Sequence, residues 1–209
     1  GRMQEALAQY DAVLAQDPGF TDAVINRSYA LLMQEDYAAG WAAYERRFAS
    51  GAMETRAFPY PPWRGDPLAG KRILVYAEQG LGDEIMFASC VPDLLQTGAH
   101  CVIECNTRLA SLFRRSFPLA HVHGGQKNDD KGWLRKLPPI ACQIAIGSLP
   151  QYFRRARADF PPQRGYLAAD PQRSAYWGKE LQAGSTLRVG IAWRGGTPRS
   201  RQFTRSTAL

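Results

Sequence analysis

Lys71-Arg72-Ile73-Leu74-Val75-Tyr76-Ala77-Glu78-Gln79-Gly80-Leu81-Gly82-Asp83-Glu84 is the stretch on which the fold turns. Arg72 to Tyr76 is a short, apolar, β-rich run, the pattern of a buried strand. Two glycines follow, then a pair of carboxylates, then a helical pattern with Ile85, Phe87 and Val91 as apolar positions. That helix is expected to reach about residue 96, with Pro92 placed to bend it. A strand that passes through a glycine turn into a helix opens an α/β unit. In an open α/β sheet such a turn lies at the carboxyl ends of the strands, where ligands bind.

Downstream the alternation continues. Strands are expected at Cys101-Val102-Ile103-Glu104, over 119–123, over 140–146 and at Arg188-Val189-Gly190-Ile191-Ala192-Trp193, and a helix over 107–117. Strands alternating with helices predict an α/β fold, a Rossmann-like parallel sheet with helices on both faces. Upstream, Phe58-Pro59-Tyr60-Pro61-Pro62-Trp63-Arg64-Gly65-Asp66-Pro67 cannot be helix or central strand, because proline lacks the donor and restricts its neighbour. It reads as a stiff connector over 51–70, anchored by Trp63. Residues 1–50 carry helical spacing in three segments, the first ended by Asp17-Pro18-Gly19. A 34-residue period links Ala6 to Gly40 and Tyr10 to Tyr44, the phase of a tetratricopeptide (TPR) repeat. The expected organisation is therefore an α-helical TPR segment over 1–50, the connector, and a Rossmann-like domain over 71–209.

Composition limits the function classes. The chain has 209 residues and a net charge of +7. That excess suits phosphate-bearing ligands without requiring them. A nucleic-acid face would need a broader basic surface with interleaved aromatics, and none is visible. Arg154-Arg155-Ala156-Arg157 is short and reads as a solvated helix end. No apolar run is long enough to span a bilayer, and the first residues carry no signal-peptide pattern. The four cysteines form no C-x-x-C pair and read as buried thiols. Cysteines and histidines show no metal-ligand spacing. The expected location is cytoplasmic, and residue 1 reads as a cut within a repeat.

Two chemical readings compete at the glycine turn. Gly80-Leu81-Gly82 followed by Glu104 at the end of the next strand opens a dinucleotide fingerprint. Ile85 stands where its third glycine belongs, and Asp83 would repel a pyrophosphate. Alternatively, a carboxylate at the crevice takes a proton from an attacking hydroxyl, which requires that it be held in place. Asp83 is the candidate, and helix capping by the same residue is the competing explanation.

Trp63-Arg64-Gly65, Glu78-Gln79-Gly80-Leu81-Gly82-Asp83, Ser148-Leu149-Pro150, Gly190-Ile191-Ala192-Trp193-Arg194-Gly195 and Arg205-Ser206 occur in this order. Together they resemble bacterial TPR proteins whose C-terminal region is similar to heptosyltransferases and, more distantly, to O-linked N-acetylglucosamine transferases. The resemblance implies the N-terminal, acceptor-holding half of a two-Rossmann glycosyltransferase. It implies Asp83 as catalytic base and an acceptor pocket shaped by Gln79, Gly80, Leu81 and Gly82. The Gly-rich, basic loop over 193–201 reads as one that holds the diphosphate of a nucleotide-diphosphate sugar through Arg194 and the Gly195 and Gly196 amides, a solvated terminus being the competing explanation. The resemblance implies no metal; no cofactor is expected, and the TPR helices are expected to present a groove to a protein or peptide partner. Gln143 departs from the pattern, standing where these proteins often carry an acid. The donor domain is expected past Leu209, so the 209 residues alone are expected to be inactive. The other hypothesis is a non-catalytic TPR interaction module with a degenerate α/β domain.

Overall fold

The computed structural model describes residues 2–51, 53, 55–126, 129–162, 165–181 and 189–191. Gly1–Ala169 forms one compact unit and Asp170–Leu209 a second.

The first unit opens with four helices: α1 (Arg2–Gln16), α2 (Thr21–Met33), α3 (Tyr37–Tyr44) and α4 (Arg46–Ala49). Gly19 donates its N–H to Asp17 Oδ1 at 3.0 Å in the turn that ends α1. Asp36 caps α3 by accepting from Ala39 N at 3.2 Å. Helix α2 packs against both α1 and α3. Leu7, Ala30 and Leu31 form a small core there, joined by Met3, Tyr10 and Ala43. At Gly40 a Cβ would stand 2.6 Å from Leu32 Cδ2 and 3.1 Å from Leu32 N. The missing side chain is what lets α3 lie this close to α2.

The sheet follows. Its elements are β1 (Arg72–Tyr76), α5 (Leu81–Phe87), α6 (Val91–Gln96), β2 (His100–Asn106), α7 (Ala110–Ser116), β3 (His121–Gly125), β4 (Cys142–Ala145) and α8 (Pro150–Phe153). The four strands pair in parallel in the order β3-β2-β1-β4. The α/β class and parallel sheet are as the sequence predicts. The single helix expected after β1 is split into α5 and α6 by a 3-10 turn at Ala88–Cys90. Pro92 has no N–H for the bond back to residue 88, and the chain tightens there.

Alternation along the strands sorts residues between the two faces. Ile73, Val75, Cys101 and Ile103 share one core with Phe87, Val91, Leu94 and Phe113 from the helices. Tyr44 and Trp63 lie in that same core, so α3 and the connector are packed into it. Leu74, Tyr76 and Val102 face the other way. Among the described residues that face is covered not by long helices, as expected, but by connector residues Phe58 and Tyr60, by Phe48, and by Trp133 and Leu134 of a 3-10 turn. The connector also pairs with β4: Trp63 N donates to Gln143 O at 2.8 Å, and Gln143 N to Pro61 O at 2.9 Å.

Two expectations need correction. Arg154 is not solvated. It ends α8 buried, donating to Ser89 O at 2.9 Å and Asp93 Oδ2 at 2.8 Å, while Arg155 and Arg157 are exposed. Of the expected late strand, Val189, Gly190 and Ile191 are described; they are exposed and pair with no strand among the described residues. The rest of that strand lies outside the described residues. In the second unit, α9 (Pro171–Glu180) is capped by Asp170, which accepts from Gln172 N and Arg173 N, each at 3.0 Å.

The four cysteines are buried and unbridged. No helix among the described residues is long and apolar enough to cross a membrane.

Candidate functional site

The site is built where β1 and β2 end. Parallel pairing sets Tyr76 beside Glu104, so both strands deliver their last residues to the same edge. Beyond β1 the chain runs through Ala77, Glu78 and Gln79 into α5. Ala77 N still donates to Glu104 O at 3.1 Å, which ties this segment to β2.

Glu78 is held by a buried arginine from the helical segment. Arg47 donates through Nε to Glu78 Oε2 at 3.1 Å and through Nη2 to Oε1 at 2.8 Å. Neither side chain has any solvent exposure. Arg47 also donates to Tyr44 O at 3.1 Å, Glu45 Oε1 at 2.6 Å and Ser148 Oγ at 2.8 Å. Its guanidinium lies 4.3 Å from the Tyr44 ring centre and 4.1 Å from that of Phe48. The two-pronged geometry suits arginine and no other cation. Glu78 Oε1 takes a further bond from Gly147 N at 3.1 Å, and a Cβ on Gly147 would collide with that oxygen.

Glu104 is held in the same manner. Arg56 donates to both of its oxygens, at 2.7 Å from Nη2 to Oε1 and closely from Nη1 to Oε2. Glu104 therefore does not stand ready for a ribose, which removes the support for a dinucleotide site.

Asp83 folds back on its own turn. Its Oδ2 accepts from Gly80 N at 3.1 Å, a helix-start arrangement. Gln79 donates to the Tyr44 hydroxyl at 2.6 Å, and Leu81 packs against the main core. Gly82 is exposed. Arg194, Gly195 and Gly196 lie outside the described residues.

A cavity of about 230 Å³ opens at these strand ends, lined by Glu78, Gln79, Glu84, Glu104, Asn106 and Gln126 among others. Gln79 is the candidate residue that reaches it; Asp83, Gly80, Leu81 and Gly82 do not line it. Glu84, which the sequence reading passed over, does. It is 3 % exposed, and its Oε2 accepts from Asn106 N at 2.8 Å. Burial, with smaller contributions from the Glu104 and Asp83 charges, pushes its pKa up to about 7 against the pull of Asn106 and Arg56. One signal could have found it. It follows Asp83 directly, so on a helix the two carboxylates diverge by about 100° and cannot both face solvent in the same way.

A second cavity of about 510 Å³ shares Arg56 with the first as a lining residue. Its walls include Phe48, Trp63, Tyr76 and Tyr152, with Gln143 and Gln151 among the polar groups. Burial raises the Tyr76 hydroxyl to about 12, so it stays protonated there. Among the described residues no three His, Cys, Asp or Glu side chains come together as a metal site.

Fold and site together define an α/β protein with a parallel sheet and a carboxylate-bearing crevice at its strand ends. The chain is 31% identical to "Protein FlbA" of Caulobacter vibrioides over 98% of its own length, and spans 37% of that relative. No protein-family profile matches the chain. No solved structure matches it either.

Proposed function

We propose that the chain is the acceptor-holding half of a glycosyltransferase that uses a nucleotide-diphosphate sugar, with helices α1–α3 serving as TPR-type units. The observation that carries this reading is the strand-end crevice. It is a small cavity beside a loop pinned by buried ion pairs, with a carboxylate of neutral pKa at its wall. A group that must take a proton from a hydroxyl near pH 7 needs those properties: a suitable affinity for the proton and a fixed position. The proton acceptor comes from the first turn of α5, which carries Asp83 and Glu84; the resemblance points to Asp83.

The helical segment supports the partner side of the reading. Its small-to-aromatic repeat fits the Gly40 contact and the burial of Tyr44. A groove of about 360 Å³ between α1 and α2, lined by Met3, Tyr10, Asn26, Tyr29 and Met33, offers a surface for a peptide.

The test is a binding and transfer screen of the full gene product against nucleotide sugars, with cell-extract acceptors as the readout. Donor binding and sugar transfer by that product are expected. The 209 residues alone are expected to show neither. The reading fails if the full product binds no nucleotide sugar, or if the 209 residues alone carry out transfer.

A further inference from the structure

The three glutamates of the strand-end cavity are not equivalent. Glu78 has both oxygens occupied by Arg47, and Glu104 has both occupied by Arg56. Glu84 has no salt bridge among the described residues. Its Oε2 is fixed by the Asn106 amide. Its Oε1 has no hydrogen-bond partner among the described residues. Among the described residues the buried side-chain atoms found without a partner are Trp41 Nε1 and Gln143 Oε1, and Glu84 Oε1 is not one of them. Glu84 is therefore anchored by one oxygen, leaves the other without a hydrogen-bond partner among the described residues, and lines the cavity.

Charged and polar groups face it from each element packed around it. Strand β2 supplies Glu104, Cys105 and the Asn106 N–H; the connector supplies Arg56; α5 supplies Asp83; the segment after β1 supplies Glu78 and Gln79. The cation named there, Arg56, is paired with Glu104. Asp83, by contrast, turns its Oδ2 onto the Gly80 amide and stays off the cavity wall.

We infer that Glu84, not Asp83, is the residue that accepts the proton of the acceptor hydroxyl, and that the strand-end cavity is where that hydroxyl binds. This rests on the sugar-transfer reading. The hydroxyl oxygen forms its bond to the anomeric carbon of the donor while the bond from that carbon to the diphosphate breaks. The electron pair leaves with the nucleoside diphosphate, and the hydroxyl proton passes to Glu84 Oε1. The Arg56 guanidinium keeps Glu104 from competing for the proton. Asp83 is a positioning residue that fixes the turn entering α5.

The Asn106 amide makes the inference measurable without turnover, because its proton bonds directly to the Glu84 carboxylate. In a pH titration by NMR of the 209-residue chain, the Asn106 amide shift should move with a midpoint near 7. That movement should vanish in Glu84→Gln and persist in Asp83→Asn. A midpoint in the ordinary carboxylate range overturns the inference. In the full gene product, assayed with UDP-glucose, UDP-N-acetylglucosamine and dTDP-glucose as donors, Glu84→Gln should lower turnover by about 100-fold or more, and Asp83→Asn by less than about tenfold. Glu84→Asp, which keeps the charge but withdraws the oxygen, should fall between them and retain the acidic limb of the pH profile. If Glu84→Gln turns over as fast as the parent, the Glu84 assignment is overturned and the sugar-transfer reading stands. If the parent turns over none of the donors, the reading falls and the Glu84 role in transfer falls with it.

Discussion

The carboxyl ends of β1 and β2 and the first turn of α5 lie around one cavity, yet they treat buried charge in opposite ways. At the strand ends each glutamate meets an arginine from a distant part of the chain, Arg47 for Glu78 and Arg56 for Glu104. At the helix start Glu84 is buried with an amide for company and no cation of its own. Burial of an ion is costly wherever it occurs, and a paired ion recovers that cost through its partner. An unpaired one instead shifts its affinity for protons. The paired carboxylates thus hold the structure, and the unpaired one is left with chemistry to do.

The sharpest way to break this contrast is to remove an arginine. Arg47→Met should destabilise the chain by about 3–5 kcal/mol in urea unfolding, because Glu78 is then a buried charge without a partner. Adding Glu78→Leu should return part of that loss, since the pair as a whole contributes far less than breaking it costs. Additive losses would mean that the two residues do not act as a pair.

Glu84→Gln should act in the other direction. The Glu84 pKa is about 7 in the folded chain against the usual 4.5, so the folded state binds this proton more tightly than the unfolded one. Stability from this group is full below about pH 4.5, declines as pH rises through the interval, and is lost above 7. The variant should match the parent near pH 4 and be more stable at pH 8 by up to about 3 kcal/mol. Parallel stability curves at the two pH values would place Glu84 among the paired carboxylates after all.

Gly147→Ala sharpens the strand-end side. The added methyl meets the Glu78 oxygen that Arg47 holds, and the displacement should cost about 1–3 kcal/mol. Asp83→Ala is the smallest change. Loss of the bond to Gly80 N should cost about 1 kcal/mol in thermal unfolding. A much larger effect would show that Asp83 does more than fix a turn.

How far the sequence reaches follows the same division. β1 was legible to the residue, because Arg72-Ile73-Leu74-Val75-Tyr76 carries its signal locally. The break near Pro92 and the packing of Gly40 were legible for the same reason. The clamps were not. Arg47 and Glu78 are 31 residues apart, and Arg47 and Ser148 are 101 apart. Within Arg46-Arg47-Phe48 nothing distinguishes the swallowed arginine from the exposed one. Arg154 misled for a similar reason, since its partners Ser89 and Asp93 lie 65 and 61 residues away in the chain. Asp83 and Glu84 were seen together, but which of them faces the crevice depends on how α5 rotates onto the sheet. That rotation is set by Phe87 and by core contacts with the other helices.

The pairing of the connector with β4 also bears on how the protein behaves among its own copies. A parallel sheet exposes two outer borders, each able to template a foreign strand. On the β4 side that border is closed by Pro61, Pro62 and Trp63. A prolyl nitrogen has nothing to donate, so a passing chain finds no ladder to extend there. Self-association through strand addition is thereby steered away from the flank that carries Gln143.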